Sequence, residues 1–115
     1  MPYKQGEIVL VPFPFTDLST TKRRPGLVVS ANWYNREESN CILVPITSTV
    51  HDPLARYEIL VQGIEVKRAG LLYDSVIRAG HPFTIEQTLI IRSLGQVTLK
   101  QLASVVEHLQ DTLHN

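Results

Sequence analysis

A mainly β (β+α) fold, a small and strongly bent β-barrel with one C-terminal helix, is what this sequence predicts, and three observations predict it. Short apolar runs recur along most of the 115 residues, separated by Gly and Pro that occur singly, which is the rhythm of short strands in a sheet that curls back on itself. No internal repeat, low-complexity stretch or linker breaks that rhythm, so one domain over residues 1–115 is expected. From Thr98 onward the period changes: Leu99, Leu102, Val105, Val106, Leu109 and Leu113 follow the spacing of a one-sided helix.

Taken in order, residues 8–11 form a continuous aliphatic run, the mark of a strand buried on both faces. The Pro12-Phe13-Pro14 step is expected to end its ladder, because proline donates no hydrogen bond. Residues 16–24 are polar and read as a loop, and strand two follows at about 26–30. A second loop, containing Asn32, Asn35 and Asn40, leads to strand three at 41–46, and residues 57–61 are the fourth strand. Beyond Gly63 the runs shorten to 70–73, 75–77 and 89–92, as expected of the bent end of a barrel. Thr98 and Gln101 have the spacing of a capping box at the start of the last helix, whose apolar stripe would cover a face of the barrel.

Lys and Arg number 11 against 11 Asp and Glu, a formal net charge of +0. Nothing global therefore argues for non-specific binding to nucleic acid or to an anionic membrane, and any polyanion site must be local. The first residues, MPYKQGEIV, show neither a basic start before a long apolar segment nor an Arg-rich amphipathic pattern, and no apolar run approaches a membrane span. A soluble, cytoplasmic protein with no membrane association is expected. The single cysteine, Cys41, can form no internal disulfide, and in the run Cys41-Ile42-Leu43-Val44 it reads as a small buried hydrophobe. His51, His81, His108 and His114 show no pair at metal-ligand spacing backed by a carboxylate motif, and the sequence holds no Gly-rich phosphate cradle, nucleophile elbow or dinucleotide fingerprint. No metal and no cofactor is expected.

Three short stretches carry candidate chemistry. The first is Lys22-Arg23-Arg24-Pro25, three adjacent cations before an apolar run. Proline biases the residue before it to extended geometry, so Arg24 projects from a fixed backbone at the mouth of strand two. Its planar, permanently charged fork of donors matches phosphate oxygens, although solvated surface cations would give the same triplet. The second is Thr47-Ser48-Thr49 at the end of strand three, where hydroxyls suit a phosphate or ribose contact or simply cap a turn. The third is Asp74, whose carboxylate suits orienting an arginine, accepting a proton or making a tight turn.

These pieces, in this order, resemble the MazF/PemK family of toxin endoribonucleases, in particular the PemK-like branch. The resemblance is carried by GEIVLVPFPFTD from Gly6, KRRPGLVVS from Lys22, VPITS from Val44, GLLYDSVIR from Gly70 and the Leu94-Gly95 step, and it spans almost the whole chain. It implies an SH3-like β-barrel of the plasmid-maintenance-toxin type with a C-terminal helix, a homodimer, metal-independent cleavage of single-stranded RNA at short motifs, and neutralisation by a cognate antitoxin. Arg24 falls on the family's catalytic arginine and Thr47 on its catalytic threonine. Asp74 falls on an aspartate implicated in catalysis in some members, but the arginine those members carry two residues earlier is Leu72 here. Where many relatives have a glutamate in the first loop, this chain reads Ser19-Thr20-Thr21.

The mechanism so implied is attack of a ribose 2′-hydroxyl on the adjacent phosphate, leaving a cyclic phosphate and a free 5′-hydroxyl. Arginine is a poor general base, so Arg24 would stabilise the dianionic transition state, Thr47 would hold the phosphate and Asp74 would be the base. Lys22, Arg23, Ser48 and Arg78, with Arg68, would contact the RNA backbone. Trp33 and Tyr34 would stack an unpaired base, ahead of Phe13 and Phe15, of which Phe13 reads as core. Competing with this is a non-catalytic barrel that acts by binding a protein, as gyrase poisons of related fold do, or a plain interaction module.

Overall fold

A computed structural model describes residues 2–13 and 22–115. Among them are seven strands, β1 (Glu7–Phe13), β2 (Lys22–Val28), β3 (Asn40–Thr47), β4 (Glu58–Val61), β5 (Ser75–Arg78), β6 (Phe83–Glu86) and β7 (Arg92–Gln96). Two short helices, α1 (Asn32–Glu37) and α2 (Ile64–Arg68), interrupt them, and α3 (Leu99–Thr112) closes the chain. All strand pairs are antiparallel. The order is β4-β5-β3-β2-β1-β7, with β6 lying beside the first half of β3. The sheet curls into a half-barrel with a C-terminal helix, the architecture that the sequence predicts.

Alternation along the central strands supplies two cores. Ile8, Leu27, Val44, Ile46 and Ile77 point to one face, where Val66 and Ala69 of the α2 segment and Val105 of α3 cover them. Val9, Val11, Val28, Cys41 and Leu43 point to the other, against Ile85 and Ile90. The unbroken aliphatic run of β1 is thus the signature of a strand buried on both sides. At α3 the capping box forms in full: Gln101 N donates to Thr98 Oγ1 at 3.1 Å and Thr98 N to Gln101 Oε1 at 2.9 Å.

Several boundaries differ from expectation, each for a physical reason. Pro12 does not end β1, which pairs onward through Pro12↔Arg23 and Phe13↔Lys22. β7 accompanies β1 only as far as Leu10, so Pro12 sits where β1 has a neighbour on one side and a missing N–H is tolerated. β2 consequently begins at Lys22 instead of Gly26, and the cationic triplet lies in a strand, not in a loop. The remainder of the expected loop, residues 16–21, and Phe15 lie outside the described residues. The Asn-rich stretch folds as α1 because the buried Asn35 amide donates to Tyr3 O at 3.0 Å and Ser30 O at 3.2 Å, and its oxygen accepts the Ser30 hydroxyl. Residues 70–73 form a loop instead of a strand, residues 89–92 lead from a short 3₁₀ turn at Gln87–Leu89 into β7, and α2 and β6 are additional to the expected elements.

The loop at residue 70 has a specific cause. β4 and β7 are the two ends of the strand order, and the segment that follows α2 reaches across to lie against β7. Gly70 has φ 72° and lies so close to the Leu94 carbonyl that a Cβ would collide with it. A Cβ on Gly95 would in turn stand 2.6 Å from the Ala69 carbonyl carbon and the Arg68 oxygen. Two backbones therefore touch where side chains would normally hold them apart. Replacing Gly70 by Ala should cost at least about 2 kcal/mol, from positive φ and steric overlap together, and Gly95→Ala about 1–3 kcal/mol from overlap alone. Thermal melts check this, with drops in Tm on the order of 10 °C expected; unchanged melting of both variants would show that the seam does not hold the fold.

Candidate active site

β2 and β3 pair through Gly26↔Pro45, Leu27↔Val44 and Val28↔Leu43. Arg24 and Thr47 each stand two residues beyond the Gly26↔Pro45 pair, at the neighbouring ends of the two strands. Alternation puts both on the face of Val28 and Leu43. The Arg24 backbone is paired to Val11 of β1, and that of Thr47 to Val76 of β5, so neighbouring strands hold both residues. Thr49 N donates to Thr47 Oγ1 at 3.1 Å. That bond fixes the oxygen and leaves the hydroxyl proton free to donate.

Two clefts meet at this pair. The first, of about 680 Å³, runs over the ends of β1, β2 and β3 to the residue 70 loop and is lined by Lys22, Arg23, Arg24 and Arg92, by the hydroxyl residues Thr47, Ser48 and Ser75, and by Leu10, Pro25, Ile46, Leu71, Leu72, Tyr73 and Leu94. Its charged lining is cationic, with no carboxylate among the described lining residues. The balanced net charge therefore conceals a locally positive groove. The second cleft, of about 390 Å³, shares Arg24 and Thr47 and adds Thr49, His51, Glu58, Arg78, His81 and Phe83. Its wall is an ordered network: Arg78 Nε donates to Glu58 Oε2 at 3.0 Å, Arg78 Nη2 to the Tyr57 hydroxyl at 2.8 Å, and that hydroxyl lies 2.9 Å from His81 Nε2.

The structure thus brings Arg24, Thr47, Lys22, Arg23 and Ser48 together in the first cleft and places Arg78 in the second. Asp74 is exposed. Its neighbours Tyr73 and Ser75 line the first cleft, but Asp74 lines neither. Trp33 and Tyr34 lie on α1, where the Tyr34 hydroxyl donates to Asn40 Oδ1 at 2.8 Å. Asn40 opens β3 and Thr47 ends it, a separation of roughly 23 Å at strand rise. These two aromatics are therefore remote from Arg24 and Thr47. Arg68 lines neither cleft.

Arg92, Tyr73 and the partnership of Tyr57 and His81 with the expected Arg78 escape the sequence reading. Arg92 reaches the cleft through the pairing Leu10↔Arg92 on one side of β1 and Leu10↔Pro25 on the other. Such long-range register leaves no local signal. His51 and His81 draw attention in the sequence only as possible metal ligands, and among the described residues no group of three or more His, Cys, Asp or Glu is arranged to hold a metal ion. No helix among them is long and apolar enough to cross a membrane.

Comparison with known proteins gives this geometry a context. Solved structures share the fold across nearly the entire chain. MazF from Deinococcus radiodurans superimposes with a TM-score of 0.77 at 23% identity, over 98% of this chain and 97% of that one. An endoribonuclease in complex with its cognate antitoxin, from a mycobacterial species, gives 0.77 at 20% identity, over 96% and 94%. The Mycobacterium tuberculosis toxin MazF-mt6 gives 0.74 at 21% identity, over 93% and 95%. No curated protein matches the chain by sequence. The family model for the PemK-like, MazF-like toxins of type II toxin-antitoxin systems matches residues 4–113, and the chain belongs to that family.

Cys41 takes no part in either cleft. It is fully buried, and desolvation pushes its thiol from the ordinary 9.0 up to about 11. The folded state thus favours the protonated thiol, a stabilisation fully present below pH 9.0 and lost as the pH rises through about 11. At pH 8 the native protein should resist iodoacetamide while the denatured protein is alkylated promptly. Mass spectrometry reads the difference, and rapid labelling of the native protein would contradict the burial.

Proposed function

We propose that this chain is the toxin of a type II toxin-antitoxin system and acts as a metal-independent endoribonuclease on single-stranded RNA. The observation that carries the proposal is that Arg24 and Thr47 line both clefts, beside a row of cations. In the proposed reaction the 2′-oxygen attacks the adjacent phosphorus, the bond to the 5′-oxygen breaks, and a cyclic phosphate and a 5′-hydroxyl result. Negative charge accumulates on the non-bridging oxygens in the transition state. Arg24, permanently protonated and mounted on a paired strand, stabilises that charge without reorganising. Thr47 donates its free hydroxyl proton to a phosphate oxygen. Because fixed cations neutralise the charge, the reaction needs no metal.

Lys22, Arg23, Ser48 and Arg92 contact neighbouring phosphates along the first cleft, with Arg78 serving the second. Tyr73, 68% exposed on the wall of the first cleft, is the aromatic placed to stack a base. Stacking of that kind requires an unpaired base, as a single-stranded substrate would offer. Asp74 carries no step in this scheme. Relatives of this fold have been solved with their antitoxins, among them the MazE-MazF complex of Deinococcus radiodurans. By analogy this chain forms one domain over residues 1–115, works in the cytoplasm as a homodimer and is neutralised by a cognate antitoxin.

The test uses wild-type protein, Arg24→Ala and Thr47→Val on a long single-stranded RNA in EDTA, with the fragment ends sequenced. Discrete cuts with cyclic phosphate ends are expected from the wild type. Arg24→Ala should slow cleavage on the order of 10²–10³-fold, as loss of one preorganised donor does elsewhere, and Thr47→Val about 10-fold to 100-fold, the range for one hydrogen bond to a charged group. Intact RNA with folded wild-type protein would favour a barrel that works by binding a protein.

A further inference from the structure

Proton accounting exposes a gap in the site. The attacking 2′-hydroxyl loses a proton and the departing 5′-oxygen gains one, so cleavage needs groups that accept and release protons near neutral pH. The charged residues of the first cleft are Lys22, Arg23, Arg24 and Arg92, all of types that hold their protons throughout that range. The second cleft, which shares Arg24 and Thr47, contains the imidazoles His51 and His81 and the carboxylate of Glu58. Glu58 is committed elsewhere. Its side chain is 8% exposed, with Oε2 held by Arg78 Nε at 3.0 Å and Oε1 by Ala55 N at 2.8 Å.

The two imidazoles differ in how they are held. His51 is exposed and has no hydrogen-bond partner among the described residues. His81 has its Nε2 at 2.9 Å from the Tyr57 hydroxyl, whose oxygen receives Arg78 Nη2 at 2.8 Å. Gly80 lets the Tyr57 ring lie against the backbone beside His81, since a Cβ there would stand 2.6 Å from that ring. The topology explains why His81 shares a cleft with Thr47. β3 pairs β6 through Leu43 and β5 from Ile46 onward, so the β5–β6 connection that carries His81 links two strands lying on the same side of β3, and His81 and Pro45 line the same cleft.

We propose that His81 is a catalytic residue, the general acid that protonates the 5′-oxygen leaving group, with Tyr57 and Arg78 as positioning residues; this rests on the nuclease reading above. The departing alkoxide is the strongest base formed in the reaction, so its release most requires a positioned acid. Protonated His81 gives the Tyr57 oxygen its Nε2–H and presents Nδ1–H to the leaving oxygen. As the phosphorus–oxygen bond breaks, its electron pair takes the Nδ1 proton. A neutral imidazole remains, still donating from Nε2 to Tyr57, whose oxygen has the two lone pairs needed to accept from both His81 and Arg78. The 2′-proton passes to solvent.

The test compares ordinary RNA with the same RNA carrying sulfur in place of the bridging 5′-oxygen at a mapped cleavage site. A thiolate departs without protonation, so loss of the acid ceases to matter. His81→Ala should slow cleavage of ordinary RNA on the order of 10²-fold, the lower end for general acid catalysis, yet cut the sulfur-substituted RNA within a few-fold of wild type. Tyr57→Phe should lose less on ordinary RNA and recover likewise. Arg24→Ala should be slow on both substrates, so it reports on the nuclease reading separately. Equal losses for His81→Ala on both RNAs, or wild-type speed on ordinary RNA, would overturn the assignment. Failure of the wild type to cut either RNA would instead remove the nuclease reading, and this proposal with it.

Discussion

The contact on which the rest of the structure depends is the backbone seam between Gly70 and Leu94 and between Gly95 and Ala69. A curled antiparallel sheet has two edges, here β4 and β7, and exposed edges invite pairing with other chains. The segment after α2 spans from one to the other. Val66 and Ala69 enter the core beneath the sheet, while Gly70 and Gly95 allow an approach that any Cβ would forbid. The seam also shapes the candidate site. Because Gly70 is pinned against β7, the residues that follow it, Leu71, Leu72 and Tyr73, stand as a wall facing the cations of β2. Closure of the fold and formation of the first cleft are the same event.

Electrostatics in this molecule is a matter of placement, not of total charge. The chain is formally neutral, yet Lys22, Arg23, Arg24 and Arg92 converge on one groove. They converge because β1 lies between β2 and β7, so that Leu10 pairs with both Pro25 and Arg92. Mounting cations on paired strands removes the backbone freedom that a loop would have to lose on binding, and so more of the attraction to a phosphate survives as affinity. Glu58, the carboxylate in the neighbouring cleft, is occupied by Arg78.

What the sequence made legible followed from periodicity. The aliphatic run of β1, the strand of Cys41 and the helix that begins after Thr98 each carry a local signal, and each forms where expected. Pro12 misled because its effect depends on whether a neighbouring strand needs its N–H, which is a fact of the whole sheet. α1 was hidden because a side-chain amide, Asn35, holds it in place, in a stretch whose composition reads as loop. Arg24 and Thr47 were legible as two motifs but not as one site, since only the folded sheet brings both to the lining of the same clefts. Asp74 stood out in the sequence through its flanking motif, whereas His81, a lining residue of the second cleft, had only the signal of a histidine before a proline.

In the proposed reaction the two clefts divide the requirements of phosphodiester cleavage between them. The groove at the seam offers permanent charge, hydroxyls and an exposed aromatic, which can hold and neutralise a polyanion but cannot move protons at neutral pH. The cleft against β5 offers imidazole and an ordered network, but its acid is balanced by its base. Only at the end of β2 and β3 do both sets of groups reach one place. Arg24 and Thr47 occupy that place, and neither depends on a flexible loop for its backbone position. In the proposed reaction such an arrangement would stabilise the transition state by being already formed. A locally positive groove of Lys22, Arg23, Arg24 and Arg92 thus forms in a protein with no excess of positive charge.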